Sequence, residues 1–276
     1  MIMATPNFEP HTVLVTGAAS GIGRCFVEHY LKQPNTLVIA WDVRSIDVYP
    51  PPSTPGEDGQ SRRLRKQQVD FASERSIEYG VNFMRTKYGA FCSSTNPKID
   101  LVIHSAGIRG LVPEIEEAYP DDVAVAETII TMNAATMMRT MQINAIGTFT
   151  LVQKLASAGL FYEPECASSK ETKVMIMTSR MGSVSHNAAT RQGGAYAYRA
   201  SKAALNAIVT SLTLDLPHVI ISLVHPGRVE TNLTKCREEG AIEVEESVDD
   251  MLTLISRLTR DESGKFVDRF GSDIGW

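Results

Sequence analysis

The amino-acid sequence predicts an α/β fold, a doubly wound three-layer sandwich built around a seven-stranded parallel sheet. Three observations lead to this prediction. Short apolar runs of strand length recur along the 276 residues, and several are apolar on both faces, as strands between two helix layers must be. Helical patterns separate most of these runs, and strands that alternate with helices form parallel sheets with right-handed crossovers. The first run ends in TGAASGIG (16–23), a glycine-rich turn that opens a helix.

The elements follow one another in a regular order. Strands are predicted at 11–17, 36–42, 64–71, 99–107, 173–179, 218–227 and 264–270. Helices are predicted between most of them, at 21–33, 72–87, 135–157, 198–215 and 248–260. No internal repeat is visible, and α/β chains of this length commonly form one domain, so residues 1–276 are predicted to be a single domain.

Two segments are predicted to be loops. The proline-rich segment 45–63 interrupts the alternation, because consecutive prolines cannot lie inside a helix. We therefore expect a surface loop where a crossover helix would otherwise stand. The polar segment 161–172 is predicted to be a second, exposed loop.

The composition argues against several classes of protein. A net charge of −5 at pH 7 disfavours nucleic acid or an anionic membrane as a partner. The four cysteines are scattered without a CxxC pair, which favours reduced thiols in the cytoplasm and neither a disulfide framework nor a metal site. No apolar run has the length of a membrane span, and the N-terminus has no secretory signal pattern.

The glycine-rich turn indicates a Rossmann-type dinucleotide site. Gly17, Gly21 and Gly23 permit a tight turn and close approach of the backbone to a pyrophosphate at the helix N-terminus. Asp42 ends the next strand, where a carboxylate accepts hydrogen bonds from both ribose hydroxyls and repels a 2′-phosphate. Asp42, with the uncharged Ser20 beside Gly21, favours NAD(H). NADP(H) stays possible because Arg44 follows two residues later, and Asp42 could also be a solvated turn carboxylate.

The stretch YAYRASKAALN (196–206) places a lysine near two tyrosines. Residues four apart share a helix face, so Lys202 faces Tyr198, whereas Tyr196 lies roughly 160° around the helix from Tyr198. An ammonium beside a phenol lowers a pKa that starts near ~10, which would make Tyr198 a usable proton-transfer group. The alternative is a pair of half-buried tyrosines on an ordinary amphipathic helix.

These motifs together resemble the short-chain dehydrogenase/reductase family over essentially the whole chain. TGxxxGIG near the N-terminus and YxxxK in the second half are joined by HSAG (104–107), NAIGTF with Asn144, SRMGS (179–183) and HPGRVET (225–231). The segments TSRMGSVSHN, GGAYAYRASKAALN and GKFVDRFGSDIGW resemble the C-factor-like, carbonyl-reductase-like branch of that family.

The resemblance implies roles for named residues. The catalytic residues it implies are Asn144, Ser179, Tyr198 and Lys202. The cofactor-binding residues are Gly17, Ser20, Gly21, Ile22, Gly23, Asp42, Asp70, Phe71, Ser105, Ala106, Gly107, Asn144, Tyr198, Lys202, Pro226, Gly227, Val229 and Thr231. By the same resemblance, Asn144 holds a water that links Lys202 to solvent, and the segment 233–246 closes over the substrate as a lid.

Some positions allow a second interpretation. His104 and Ser105 stand where the family usually has paired asparagines, and Ser183 is the alternative to Ser179 as the catalytic serine. His225 is interpreted as a structural residue at a strand end, and His186 either as a loop histidine or as a substrate contact. Arg180 and Arg199 are interpreted either as surface charges or as part of a substrate entrance.

We therefore expect an NAD(P)-dependent oxidoreductase that interconverts a secondary alcohol and a ketone. The alternatives are a biosynthetic enzyme performing a non-redox step and a nucleotide-binding regulator without turnover. The helices at 136–158 and 196–213 are apolar around much of their circumference, and members of the family pair through these two helices. A homo-oligomer, dimer or tetramer, is expected, unless loops 161–172 and 184–194 cover this face.

Overall fold

The computed structural model describes residues 11–46, 63–88, 97–163, 170–231, 233 and 240–276. Most of the predicted proline-rich loop 45–63 therefore lies outside the described residues. The same holds for the middle of loop 161–172 and for residues 234–239 of the predicted lid.

Seven parallel strands form one sheet, as the sequence predicts. The strands are β1 (His11–Thr16), β2 (Thr36–Asp42), β3 (Leu64–Gln68), β4 (Leu101–His104), β5 (Lys173–Met177), β6 (Ile220–His225) and β7 (Phe266–Asp268). Their order across the sheet is β3-β2-β1-β4-β5-β6-β7. The strand order therefore reverses between the neighbours β1 and β4, because β2 and β3 lie on one side of β1 and the later strands lie on the other. Ligands of open α/β sheets bind outside the carboxyl ends of strands at such a point.

Helices cover both faces of the sheet. They are α1 (Gly21–Lys32), α2 (Glu74–Tyr88), α3 (Pro113–Ala118), α4 (Ala134–Met141), α5 (Gly147–Ser157), α6 (Val184–Thr190), α7 (Tyr196–Asp215) and α8 (Val244–Arg257). Phe26 of α1 and Met251 of α8 pack in the core on one face. Ile77 of α2, Leu151 of α5 and Leu205 of α7 pack in the core on the other face. The three-layer architecture is confirmed.

The local sequence explains why these strands are buried. All seven residues of β2 (TLVIAWD) are buried, because apolar side chains on both faces of an interior parallel strand meet a helix layer on each side. The edge strand β3 (LRKQQ) is more exposed and more polar. The observed strands are shorter than predicted at several ends. Residues 105–107, for example, leave the sheet after β4 and form a loop beside the glycine-rich turn.

Three helical segments differ from the sequence prediction. The single helix expected at 135–157 is interrupted by a wider π-helical turn at Gln142–Ile146, which contains Asn144. Residues 184–190, expected in a loop, form α6, because the hydroxyl of Ser183 accepts a hydrogen bond from His186 N and caps the helix. The short helix α3 at 113–118 was also not predicted, and it begins with a proline at its first position.

An apolar surface lies on α4, the π-helical turn and α5. It consists of Met137, Met138, Ile146 and Phe149, all exposed in the single chain. In the described part of the chain, no helix is both long and apolar enough to cross a membrane.

Candidate active site

Two adjoining clefts open at the carboxyl edge of the sheet. A groove of about 540 Å³ extends over the ends of β1, β2 and β4. A second cleft of about 770 Å³ lies over the ends of β5, β6 and β7. Both are lined by Ile22, Tyr198, Pro226 and Thr231, so the two clefts meet at Tyr198.

Most of the predicted cofactor residues line the groove. These are Gly17, Ser20, Gly21, Ile22, Asp42, Asp70, Phe71, Ser105, Ala106, Gly107, Tyr198, Lys202, Pro226 and Thr231. Gly227 and Val229 line the second cleft instead. Gly23 and Asn144 line neither cleft. Gly23 packs against the carbonyl of Gly17, and a Cβ there would overlap that carbonyl.

The glycine-rich turn has the geometry that the sequence predicts. Gly17 has a φ of +67°, in the left-handed region that side chains disfavour, and a Cβ there would lie 2.9 Å from Ala106 N. The turn can therefore pack directly against the loop after β4. Gly21 then begins α1, whose first N–H groups are free to face a ligand in the groove.

Asp42 lies at the far end of the groove in a network with Arg44. Its Oδ2 accepts from Ala19 N at 3.0 Å, and its Oδ1 accepts from Arg44 N at 2.9 Å and Arg44 Nε at 3.3 Å. Arg44 also donates to the hydroxyl of Ser20 at 2.7 Å. Asp42 is therefore a buried, fixed carboxylate and not a solvated turn residue, whereas the Arg44 side chain is 56% exposed.

The structure supports the helix-face argument for the two tyrosines. Tyr198 is buried where the clefts meet, and Lys202 Nζ lies 5.7 Å from its ring centroid. Tyr196 is exposed and lines neither cleft. Ser179, at the end of β5, is a hydrogen-bond partner of the Tyr198 hydroxyl. The structure thus brings Ser179, Tyr198 and Lys202 together.

The charges around Tyr198 differ from the expectation. Burial raises the pKa of Tyr198, while the hydrogen bond with Ser179 and the charge of Arg109 act in the opposite direction. Burial also lowers the pKa of Lys202 to about 8. The expected lowering of the Tyr198 pKa by Lys202 is therefore not found in the isolated chain. The Lys202 ammonium instead donates to the carbonyl of Met177 at 2.9 Å.

Ser183, the alternative catalytic serine, is already engaged elsewhere. Its hydroxyl caps α6 and donates to the carbonyl of Gly275 near the C-terminus. Gly182 beside it allows α7 to approach closely, because a Cβ there would lie 2.8 Å from the Lys202 backbone. The loop after β5 thus places Ser179 at the cleft and turns Ser183 away into a structural role.

Asn144 binds the main chain of the loop after β4. Its Oδ1 accepts from Ile108 N at 2.8 Å, and its Nδ2 donates to Ile108 O at 2.8 Å and to Ser201 Oγ at 3.0 Å. Both N–H donors of its amide group and one of the two lone pairs of the amide oxygen are thereby used. Asn144 joins the π-helical turn to the β4 loop and to α7.

His104 lies in a buried hydrogen-bond chain whose direction can be worked out. Thr148 Oγ1 donates to Asn144 O at 2.9 Å, so it must accept its 2.8 Å bond from His104 Nε2. The opposite nitrogen, Nδ1, then accepts from Thr16 Oγ1 at 2.8 Å, and Thr16 in turn accepts from Ala106 N. The geometry therefore requires a neutral imidazole with its proton on Nε2. Burial, with the charge of Lys202, lowers the pKa of His104 to about 3.

A buried ion pair that no pattern in the sequence predicts lines the second cleft. Arg109 binds both carboxylate oxygens of Glu127, at 3.0 and 2.7 Å. The carbonyl of Glu127 accepts from Ala195 N, and Ala195 has left-handed backbone angles, φ 49° and ψ 37°, directly before α7. Arg109 follows HSAG by two residues, but no local signal in the sequence connects it with Glu127.

Comparison with known proteins assigns the chain to a family. The model of the short chain dehydrogenase family matches residues 11–241. The chain belongs to the short-chain dehydrogenase/reductase family. Dehydrogenases of this family are oxidoreductases, so the predicted enzyme class is confirmed.

Two relatives and one solved structure illustrate the similarity. The chain is 35% identical to C-signal of Myxococcus xanthus over 64% of this chain and 93% of that protein. It is 30% identical to the short chain dehydrogenase gsfK of Penicillium aethiopicum over 97% of this chain and all of that protein. A carbonyl reductase from chicken fatty liver has the same fold over the full length of both chains, with a TM-score of 0.75 and 23% identity. The predicted branch of the family is confirmed.

The His104 chain predicts how stability changes with pH. The pKa of His104 is about 3 in the folded protein, and its ordinary value is 6.5. Below pH 6.5 the imidazole is therefore protonated in the unfolded chain but stays neutral in the folded protein. Stability should fall as the pH decreases from 6.5, and each such group contributes at most about 1.4 kcal/mol per pH unit. His104→Asn should make this decrease shallower.

Urea unfolding at pH 7.5, 6.5 and 5.5 measures the effect. His218→Asn, which alters a histidine outside the chain of hydrogen bonds, is the control and should preserve the wild-type slope. Equal slopes for wild type and His104→Asn would contradict a buried neutral imidazole.

Proposed function

We propose that the protein is an NAD(P)-dependent oxidoreductase that interconverts a secondary alcohol and a ketone by hydride transfer. The observation that carries the proposal is the position of Tyr198, buried between Ser179 and Lys202 where the nucleotide groove meets the second cleft. A proton-transfer group is thereby placed beside the space where a cofactor and a substrate would meet.

The groove fits a nicotinamide dinucleotide. The main chain of Gly17 and Gly21 is open to the groove at the start of α1, which suits a pyrophosphate. Asp42 at one end suits the adenosine ribose, and Lys202 at the other end suits the nicotinamide ribose. Pro226 and Thr231 border both clefts and are the proposed contacts of the nicotinamide end. When bound, the nicotinamide supplies or accepts the hydride.

The protein's own residues manage the proton. In ketone reduction, Tyr198 donates its proton to the carbonyl oxygen, and the raised pKa keeps that proton on the phenol until negative charge develops. The Ser179 hydroxyl donates to the same oxygen and stabilises it. Its Oγ accepts from Met181 N at 3.2 Å, which leaves the hydroxyl proton free to point into the cleft. In alcohol oxidation the same groups accept the proton.

We propose that Asn144 is a positioning residue. Because its side chain is bound to Ile108 and Ser201, it fixes the π-helical turn against α7, which carries Lys202. A water relay from Lys202, as the family resemblance implies, would therefore be held by main-chain groups of this turn and not by the Asn144 amide.

The choice between NAD(H) and NADP(H) rests on Asp42 and Arg44. The chicken carbonyl reductase that shares the fold is bound to NADPH, and Arg44 bound to Ser20 is available to a 2′-phosphate, so both observations favour NADP(H). We nevertheless propose NAD(H) as the preferred cofactor. The Asp42 carboxylate is held by two main-chain N–H groups, whereas the Arg44 side chain is 56% exposed and is held only by side-chain hydrogen bonds to Asp42 and Ser20.

We propose a homodimer formed through the apolar surface of Met137, Met138, Ile146 and Phe149. Four exposed apolar side chains on one helical segment are normally covered. Light scattering at micromolar concentration should give twice the chain mass of 30.3 kDa. Ile146→Glu with Phe149→Glu should produce the monomer, and a wild-type monomer mass would refute the proposal.

A single domain, a lid at 233–246 and a cytoplasmic location stay predictions.

Replacing Tyr198 tests the proposed chemistry. Tyr198→Phe removes the donated proton and should lower kcat by ~10²–10⁴-fold, the usual contribution of a general acid. Binding of the dinucleotide, followed by calorimetry, should change little, because the ring is retained. The matched control Tyr196→Phe should keep nearly full turnover, since Tyr196 is exposed and outside both clefts. A larger loss of turnover in Tyr196→Phe than in Tyr198→Phe would show that the proposal assigns the chemistry to the wrong tyrosine.

Replacing Asp42 and Arg44 separately tests the cofactor choice. Wild type should bind NAD⁺ more tightly than NADP⁺ in a calorimetric titration. Asp42→Ala should shift the ratio of the two dissociation constants toward NADP⁺ by about tenfold, because one charge-assisted contact is lost and one repulsion is removed. Arg44→Ala should shift the ratio the other way. Tighter NADP⁺ binding by wild type that disappears in Arg44→Ala would assign NADP(H) to this protein.

A further inference from the structure

The second cleft is strongly basic although the chain as a whole is acidic. The net charge of the protein is −5. The arginines that line the cleft are Arg109, Arg180, Arg199, Arg228 and Arg269, and the carboxylates that line it are Glu127 and Asp268. Such a concentration of one charge in a concave site raises the local concentration of ligands of the opposite charge.

Protein carboxylates neutralise only some of these arginines. Arg109 is bound to Glu127, and Arg269 donates to Asp250 at 2.6 Å and to Glu246 at 3.4 Å. Arg180 and Arg199 differ from them. In the part of the chain that the structure describes, neither guanidinium forms a hydrogen bond or an ion pair, although the charge of Glu127 acts on Arg199. Arg199 Nε is buried without a hydrogen-bond partner.

The positions of these two arginines relate them to the reacting centre. Arg180 directly follows Ser179, and Arg199 directly follows Tyr198, so the Cα atom of each arginine is only about 3.8 Å from that of a proposed catalytic residue. Both side chains line the same cleft as the Ser179 and Tyr198 hydroxyls. A group bound by the arginines would therefore share this cleft with a carbonyl held by Ser179 and Tyr198.

Two histidines of the same cleft are subject to the same positive charge. Besides burial, Arg180 and Arg199 lower the pKa of His186, and Arg180 also lowers that of His225, to about 4. Asp268 acts on His225 in the opposite direction, and Arg269 acts with Arg180. His225 Nδ1 is buried without a hydrogen-bond partner. Neutral histidines therefore leave the arginines of the cleft as the groups that can attract an anion here.

An arginine nitrogen that is buried without a partner costs free energy, which a bound anion would recover. A guanidinium also binds planar or tetrahedral anionic oxygens through two parallel hydrogen bonds. Resting on the proposed function, we propose that the ketone or alcohol substrate carries a carboxylate or phosphate group that Arg199 and Arg180 bind.

The test compares ketones of equal chain length with different end groups. They are a short oxo-carboxylic acid, its methyl ester and a phosphate monoester of the corresponding hydroxyketone. The wild type should have a kcat/KM at least tenfold higher for an anionic ketone than for the ester, and whichever anion is favoured identifies the group. Arg199→Gln and Arg180→Gln should each lower that kcat/KM by about 10–100-fold, mainly through KM, since a hydrogen bond to a charged group contributes ~1.5–3 kcal/mol.

The ester and a matched arginine are the controls. Turnover of the ester should change less than about threefold in both variants, because the ester has no anionic group for an arginine to bind. The loss of a charge-assisted hydrogen bond would lower turnover by more than that. Arg191→Gln, which alters an exposed arginine outside the cleft, should leave all three substrates unchanged. Equal kcat/KM for acid, ester and phosphate in the wild type, or an unchanged anion KM in Arg199→Gln, would overturn the inference while the oxidoreductase proposal stands.

A binding measurement separates the two proposals. With the oxidised cofactor present, a ketone cannot be reduced, and calorimetry then measures its affinity alone. Tighter binding of an anionic ketone than of the ester, lost in Arg199→Gln, would support the anion site even if no ketone in the panel were reduced. Absence of turnover for every ketone and alcohol would count against the proposed function only. Equal binding of all three ketones would overturn the anion site.

Discussion

A neutral imidazole between two threonines joins the parts of the molecule that form the site. Thr16 at the end of β1, His104 at the end of β4 and Thr148 at the start of α5 are hydrogen-bonded in sequence, and the chain ends on the carbonyl of Asn144. The glycine-rich turn follows Thr16 directly, and the π-helical turn contains Asn144. The position of the groove relative to α7 therefore depends on one buried side chain, and protonating it would break an acceptor contact at Nδ1.

The close approach of α7 to the sheet also determines where Lys202 and Tyr198 lie. Gly182 leaves room for the backbone at Lys202, and the ammonium reaches the carbonyl of Met177 at the end of β5. This contact satisfies a buried charge that would otherwise be costly. Because Lys202 and Tyr198 are one turn apart, holding the lysine also holds the phenol at the junction of the two clefts.

Local patterns in the sequence were sufficient for the sheet, the glycine-rich turn and the pairing of Tyr198 with Lys202. Each of these depends on residues within one strand, one turn or one helix face. The cap formed by Ser183 is also local, since it binds His186 N three residues later. The π-helical turn at Asn144 and the Arg109–Glu127 pair could not be predicted in this way. Asn144 binds Ile108, 36 residues away, and Arg109 binds a residue 18 positions away, so these contacts exist only after the sheet is assembled. The raised pKa of Tyr198 likewise results from burial, which the lysine spacing does not reveal.

The left-handed backbone conformation of Ala195 lowers the free energy of unfolding of the protein. A non-glycine residue in this conformation carries a strain of roughly 1 kcal/mol, and here the bond from Ala195 N to the carbonyl of Glu127 maintains it. Glycine would adopt the same angles without strain, but it would also let the first turn of α7 sample other conformations. The alanine therefore trades some folding free energy for a rigid start of the helix, three residues before Tyr198. The start of α7 is therefore less stable, but more ordered, than a glycine at position 195 would make it.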